Sequence, residues 1–194
     1  MKGINFTEPL FHKVVRGKKT QTRLIMNPQP AFEGEFRYAC PIDADGKLIE
    51  PLYKIGETVY IKEPYFIIPK WHEYKNWVIY KYGEHPEKTD TRPFVNPRIM
   101  PAKYARHFIK ITCVRCERLQ EISDADCLKE GIEEQKWEGH TGKYFYIIPD
   151  MTCPIFDSGR KAYAYLIDSI YGKGTWESNP IVWAYDFKLI TKYR

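Results

Sequence analysis

The sequence predicts an α+β domain with a largely antiparallel sheet. Candidate strands lie before, between and after two or three candidate helices, an order typical of that class. In the last strand, residues 180–190, every odd position from 181 to 189 is apolar, as in a strand with one buried face. The longest helix begins after Ser158 and ends at Gly172, and its core stripe consists of Tyr163, Leu166, Ile167 and Ile170.

The N-terminal segment predicts a strand, a helix and a second strand. Residues 2–6 form the short opening strand. Thr7 is the expected N-cap of the helix and Gly17 its end, and the apolar face comprises Leu10, Phe11, Val14 and Val15. Residues 20–25 are predicted to form the second strand.

The remainder of the chain predicts further strands at 58–66, 77–82, 107–118 and 144–148. A short helix is predicted between Ser123 and Gly131, because Ile122 and Cys127 occupy the two positions of a hydrophobic staple. The 194 residues favour a single domain, 1–194, with loop insertions at about 27–52, 67–98 and 133–157.

Composition and charge exclude several classes of protein. The net charge of +5 is compatible with an anionic partner but is lower than that of a dedicated nucleic-acid coat protein. Five cysteines in a chain of this length do not make a disulfide scaffold. The N-terminus lacks a signal-peptide pattern, and no apolar run approaches the roughly 20 residues of a membrane span. We therefore expect a reduced, cytoplasmic protein with no membrane partner.

Potential chemistry is densest in the stretch RGKKTQTR, residues 16–23, which places four cations and two hydroxyls in one turn. One interpretation is a ligand-binding site. The other is that Lys18, Lys19 and Arg23 form a solvated or anion-binding rim, and that the two threonines are ordinary strand residues. A phosphate-cradling P-loop is excluded, because no glycine lies upstream in the predicted helix and an extra lysine interrupts the required Gly-Lys-Thr ending.

Glu63 falls on an otherwise apolar strand face, together with Val59 and Ile61. A buried carboxylate needs a partner, and Arg23 and Arg106 are the candidates. Alternatively, Glu63 accepts a hydrogen bond from the amino group of a bound base, as carboxylates do from cytosine.

No metal site or cofactor is predicted. Cys113 and Cys116 form a lone C-x-x-C pair inside a predicted strand, and the five histidines are scattered. The aromatic cluster around Trp71, Tyr74 and Trp77 is open to two interpretations. It either stacks on nucleic-acid bases or fills the core of an inserted hairpin.

Five blocks of the sequence, in order, resemble ASCH-domain proteins of the type common in phage and bacterial genomes. The blocks are RGKKTQTR (16–23), YKIGETVYIKEPY (53–65), IMPAKYAR (99–106), LQEISDADCLKEGI (119–132) and WESNPIVWAYDF (176–187). The resemblance implies a PUA-like, ASCH-type small β-barrel of mostly antiparallel strands with two to three helices.

One branch of that family, the small bacterial N4-acetylcytidine amidohydrolases, is similar in the block around Lys19. The resemblance implies Lys19 as base, Thr22 as nucleophile and Glu130 as proton donor. A lysine base needs a lowered pKa, which its cationic neighbours favour. Glu130 falls in the last turn of its helix, where the dipole favours the protonated acid. In a regular strand Lys19 and Thr22 would face opposite sides, so Lys19 must belong to the turn or a bulge must intervene.

Together these expectations describe a cleft lined by the three catalytic candidates and by the ligand-binding candidates Lys18, Arg23, Glu63 and Arg106. The expected function is binding of RNA or of a nucleotide or nucleoside, with a basic rim holding phosphate. The first alternative is an amidohydrolase that deacylates N4-acetylcytidine or a similar modified nucleoside. The second is a protein-interaction module of phage or mobile-element origin.

Overall fold

The computed structural model describes residues 1–31, 41–68, 77–82, 93–136, 144–148 and 154–190. Its strands are β1 (Gly3–Asn5), β2 (Gln21–Ile25), β3 (Thr58–Lys62), β4 (Tyr65–Ile68), β5 (Trp77–Tyr80), β6 (Phe108–Arg118), β7 (Glu133–Lys136), β8 (Tyr144–Ile147) and β9 (Ile181–Ile190). Its α-helices are α1 (Glu8–Val15), α2 (Asp124–Lys129), α3 (Gly159–Tyr171) and α4 (Thr175–Ser178). The predicted α+β class is therefore confirmed.

The central element is a five-stranded mixed sheet with the strand order β1-β3-β6-β9-β2. The β1–β3 pair is parallel, and the other three pairs of this sheet are antiparallel. Two antiparallel ribbons, β4–β5 and β7–β8, lie outside it. The long central pair β6–β9 carries a register shift between Ile111 and Cys113, where the strand bends.

The predicted closed barrel is not formed in the described part of the chain. A barrel requires every strand to pair on both sides, but β1 and β2 are edge strands that share no ladder. The reason lies in the space between them, where residues of β1 such as Ile4 and residues of β2 such as Leu24 line a common cavity. The sheet is therefore open between β1 and β2.

The hydrophobic core joins the sheet to α1 and α3. The helices contribute Leu10, Phe11 and Val14 from α1, and Ala162, Tyr163, Leu166 and Ile167 from α3. The sheet contributes the largely buried side chains Ile4, Val59, Ile61, Ile109, Ile111, Val182, Tyr185 and Phe187. The same burial fixes α1 and α3 against the sheet, and residues of both helices line the cavity between β1 and β2.

Most of the predicted elements are present, with three informative differences. The predicted strand at 58–66 is divided into β3 and β4 at Glu63 and Pro64, since a proline has no N–H for a strand ladder. Neither β7 nor α4 was predicted, because the four polar residues of β7 show no apolar alternation and α4 is a single turn. The aromatic cluster at 71–74 lies outside the described residues.

Candidate functional site

Lys19 is placed by a tight turn between α1 and β2. Gly17 adopts a positive φ of 70°, and the backbone N–H groups of Lys18 and Lys19 both donate to the carbonyl of Lys13, at 2.8 and 3.1 Å. Strand β2 begins only at Gln21. Lys19 therefore belongs to the turn, which removes the requirement that its side chain and that of Thr22 point to opposite sides.

Lys19 meets Glu130 at the C-terminal end of α2. The Lys19 Nζ atom donates to Glu130 Oε2 at 2.5 Å and to the Glu130 carbonyl at 2.8 Å. The two side chains are only 1% and 4% exposed. Glu130 is fixed as the C-cap of α2, and the cap of the opposite end is the predicted Ser123, whose hydroxyl accepts from Asp126 N–H at 3.1 Å. The structure thus brings the predicted base and proton donor into direct contact.

Arg23 is buried inside the same cluster. The sequence had instead predicted it in a basic rim facing solvent or a ligand. Its side chain is 1% exposed, and its Nη1 donates to Glu130 Oε1 at 3.0 Å and to Gln21 Oε1 at 2.6 Å. Its Nε donates to Glu117 Oε1 at 2.7 Å. Arg23 thus binds the carboxylates of Glu130, at the end of α2, and of Glu117, on β6. It holds Glu130 in place and is shielded from solvent.

The cluster continues across one face of the sheet. In the β2–β9–β6 register, Gln21 lies opposite Asp186, and Arg23 and Arg115 both lie opposite Ala184. Gln21 Nε2 donates to Asp186 Oδ1 at 2.6 Å, and Arg115 Nη1 bonds Asp186 Oδ2. These neighbours of Arg23 were not predicted from the sequence. A signal for them was present, because polar residues at alternate positions of β2 and of β6 indicate a polar face of the sheet.

Burial and neighbouring charges shift the pKa values of this cluster. Burial is the largest influence on Lys19 and lowers its pKa; Arg23 lowers it further, while Glu130 opposes the change. For Arg23, burial acts downward, but Glu130, Tyr163 and Glu117 outweigh it and raise the pKa. Burial, reinforced by Glu130, raises the pKa of Tyr163 well above its usual value. Tyr163 is therefore a neutral hydrogen-bond donor, with its hydroxyl 3.4 Å from Glu130 Oε1.

A cavity of about 460 Å³ opens between β1 and β2, beside this cluster. Its lining includes all three predicted catalytic residues, Lys19, Thr22 and Glu130, together with Tyr163. Thr22 is 7% exposed, and its hydroxyl makes no hydrogen bond within the described part of the chain. The lining of one cavity thus includes an unbonded hydroxyl, a lysine with a lowered pKa and a carboxylate.

Three of the predicted ligand-binding residues lie outside this cavity. Lys18 is 64% exposed and lies 3.8 Å from Glu133. Glu63 is fully buried and forms a bidentate pair with Arg106, with Arg106 Nε on Oε1 and Nη2 on Oε2, both at 2.7 Å. Arg106 also lies over the Tyr80 ring, 4.3 Å from its centroid. The Glu63 carboxylate therefore has a structural ion-pair partner, and that partner is Arg106, not Arg23.

Replacing Glu63 by glutamine is expected to lower the free energy of unfolding by about 2 kcal/mol. The change removes the charge that Arg106 pairs with, and the loss is smaller than for a fully buried pair because Arg106 is one-third exposed. Chemical denaturation measures the loss. The matched control is Glu8→Gln, whose carboxylate meets Lys81 at 3.1 Å with both side chains 48% exposed. An unchanged stability of Glu63→Gln would contradict a structural role for the pair.

The described ranges contain no group of three or more His, Cys, Asp or Glu residues arranged to hold a metal ion. Cys113, Cys116 and Cys127, all within those ranges, are free thiols. None of the helices there has both the length and the apolar character needed to cross a bilayer.

Comparison with family models, with curated proteins and with solved structures finds no match to this chain. The resemblance to ASCH proteins therefore remains a prediction from the sequence. The function must be argued from the cavity and from the side chains that line it.

Proposed function

We propose that the chain is an amidohydrolase that binds a nucleoside-sized amide in the cavity between β1 and β2. The observation that carries the proposal is the contact between the buried Lys19 and Glu130 in the same cavity as the unbonded hydroxyl of Thr22. A buried lysine with a lowered pKa that is paired with a carboxylate in a cavity is typical of sites of acid–base chemistry.

The pair can supply both the base and the acid of the reaction. Transfer of one proton from Lys19 Nζ to Glu130 Oε2, across their 2.5 Å contact, gives a neutral amine and a neutral carboxylic acid. Burial favours this neutral form by lowering the pKa of Lys19. The amine then takes the proton of the Thr22 hydroxyl as its oxygen attacks the acyl carbon of the amide.

The remaining steps restore the starting state. Glu130 gives its proton to the departing amine nitrogen, the C–N bond breaks, and Thr22 is left acylated. In the second half, Lys19 again as amine takes a proton from water, the water oxygen attacks the ester, and the acid Glu130 returns a proton to the Thr22 oxygen. Free acid is released, and the ion pair between Lys19 and Glu130 forms again.

The geometry favours a small enclosed ligand over an RNA strand. A cavity of about 460 Å³ falls in the range of small-molecule sites. An RNA groove needs cations that are free to meet successive phosphates, whereas Lys19 and Arg23 are neutralised by buried carboxylates. We therefore propose nucleoside binding as the first step of hydrolysis, and we do not retain the RNA strand as the ligand.

We further propose that the fold is of the PUA-like, ASCH type. The support is the order of elements around a central mixed sheet, with α1 between the edge strands β1 and β2 and with α2 presenting Glu130 to the turn after α1. In this interpretation the sheet is left open at the cavity.

The experiment is incubation of purified protein with N4-acetylcytidine, followed by chromatography for cytidine and acetate. We expect turnover by the wild type and its loss in Lys19→Ala. The control is Lys54→Ala, which removes a lysine that is 70% exposed. Because Lys19→Ala leaves Glu130 paired with Arg23, the variant is expected to fold, and circular dichroism checks this. Turnover by Lys19→Ala at the wild-type rate would overturn the assigned base.

A further inference from the structure

The polar groups at the mouth of the cavity are exposed and unpaired, whereas those at its buried end are paired with each other. Its buried end carries Lys19 and Glu130, which are paired to each other. Its exposed end is lined by Asn5, Thr7 and Arg98. No side chain or backbone group in the described ranges pairs with the Arg98 guanidinium, the Asn5 amide or the Thr7 hydroxyl. These three groups are thus available to a ligand.

Arg98 is held at this mouth by neighbouring elements. Asn5 of β1 lies opposite Lys62 of β3, and the Lys62 Nζ atom donates to the Arg98 carbonyl at 2.8 Å. Asn96 caps the short 3-10 helix Pro97–Ile99 by accepting from the Arg98 N–H at 2.9 Å. The backbone of Arg98 is therefore fixed beside the end of β1, and its side chain remains unpaired.

Asn5 and Thr7 reach the mouth from the chain that leaves β1. They flank Phe6, which is 5% exposed and lies against Lys19, with the Nζ atom 5.8 Å from the ring centroid. Asn5 and Thr7 are exposed, whereas Phe6 between them is buried, and all three residues line the cavity. Thr7 precedes α1 but its side chain does not cap the helix. Its hydroxyl is thus free to act as a donor to a ligand.

The charges that line the cavity do not balance at the mouth. Lys19 and Arg23 are offset by Glu130, Glu117 and Asp126, whereas no carboxylate lies within ion-pair distance of Arg98 in the described ranges. A guanidinium, an amide N–H₂ and a hydroxyl are the donors that bind phosphate oxygens. Arg98 was not among the ligand-binding residues predicted from the sequence; of the two cations predicted near the turn, Lys18 lies outside the cavity, and Arg23 lines it but is paired with buried carboxylates.

We propose that the mouth of the cavity binds a phosphate group through Arg98, Asn5 and Thr7, so that the preferred ligand is a nucleoside monophosphate and not the bare nucleoside. The inference rests on the proposed function, since it takes the cavity as a nucleoside site. It adds the chemical class of the substrate and the residue that selects it. The base with its amide lies toward Lys19, and the 5′-phosphate lies toward solvent.

The test is a binding titration with the two products that differ only by the phosphate, cytidine and cytidine 5′-monophosphate. We expect the wild type to bind the monophosphate about tenfold or more tightly than cytidine. Arg98→Gln should bring the monophosphate to the affinity of cytidine and leave cytidine unchanged. The control is Lys103→Gln, an exposed cation on the next 3-10 helix that does not line the cavity, and it should keep the preference.

The outcomes separate this inference from the proposed function. Products bind without turnover, so a preference for the monophosphate that Arg98→Gln abolishes would support the phosphate site even if no amide is hydrolysed. Equal affinity of the wild type for both compounds would overturn the inference, as would a preference that survives in Arg98→Gln. If neither compound binds, both the phosphate site and the nucleoside cavity are wrong. Raising the salt concentration should reduce the preference but not the binding of cytidine.

Discussion

Replacing Glu130 by glutamine is expected to lower the free energy of unfolding by about 3–5 kcal/mol, the largest loss among the single substitutions considered. The change keeps the shape of the side chain and removes one charge. It leaves the Lys19 ammonium, 1% exposed, without the carboxylate that it contacts at 2.5 Å. Removing one partner of a buried pair costs this much because the other charge stays buried and uncompensated.

Arg23 limits that loss. Its guanidinium also contacts Glu117 at 2.7 Å and Asp126 at 3.4 Å, so it keeps two carboxylates when Glu130 is neutral. The uncompensated charge in Glu130→Gln is therefore that of Lys19. We expect the double variant Lys19→Met with Glu130→Gln to regain at least about 1 kcal/mol relative to Glu130→Gln alone, because the isolated ammonium is then absent.

Denaturant titration with all four combinations of the two substitutions measures this coupling. The matched control is Glu50→Gln, where the carboxylate is 64% exposed and lies 3.7 Å from Lys54. That change should alter the free energy of unfolding by no more than about 0.5 kcal/mol. A loss below about 1 kcal/mol for Glu130→Gln would contradict this prediction, because it would mean that no uncompensated charge stays buried at Lys19 when the carboxylate is removed.

The parts of the fold that the sequence predicts well are those with strong local signals. Strand β9 lies where its apolar pattern predicts a strand, and Ser123 caps α2 as expected. The single buried face predicted for β9 is wrong, because Val182 and Ala184 are also buried and Leu189 is exposed. The meeting of Lys19 with Glu130 was suggested by a family resemblance, and a local feature supports it. Gly17 ends α1 early enough that Lys19 lies in the turn and not in β2.

The parts that were missed depend on contacts between distant segments. Arg23 was expected at a solvated rim, because nothing near it in the sequence shows that Glu117, 94 positions away, binds its guanidinium. Glu63 had two candidate partners, and only the folded chain shows that Arg106 is the partner. The open sheet was also missed, since local periodicity identifies strands but not which edges remain unpaired.

Thr22→Val is expected to reduce turnover of N4-acetylcytidine by at least about 1,000-fold, with a change in the free energy of unfolding of less than about 1 kcal/mol. Valine keeps the branched shape of threonine and lacks the oxygen that would carry the acyl group. The small effect on stability follows from the site, because the Thr22 hydroxyl has no hydrogen-bond partner in the described part of the chain that the change would leave unsatisfied.

Two matched variants and a search for the acylated protein test whether Thr22 is the nucleophile. Thr22→Ser keeps a hydroxyl and should retain measurable turnover, and Thr20→Val removes the neighbouring hydroxyl, which does not line the cavity, and should retain the wild-type rate. Mass spectrometry of protein quenched during turnover should find one acetyl group on the peptide that contains residue 22. Unchanged turnover in Thr22→Val would exclude Thr22 as nucleophile. It would leave Lys19 to activate a water molecule directly, a reaction that still needs the pair with Glu130 but forms no acyl-enzyme.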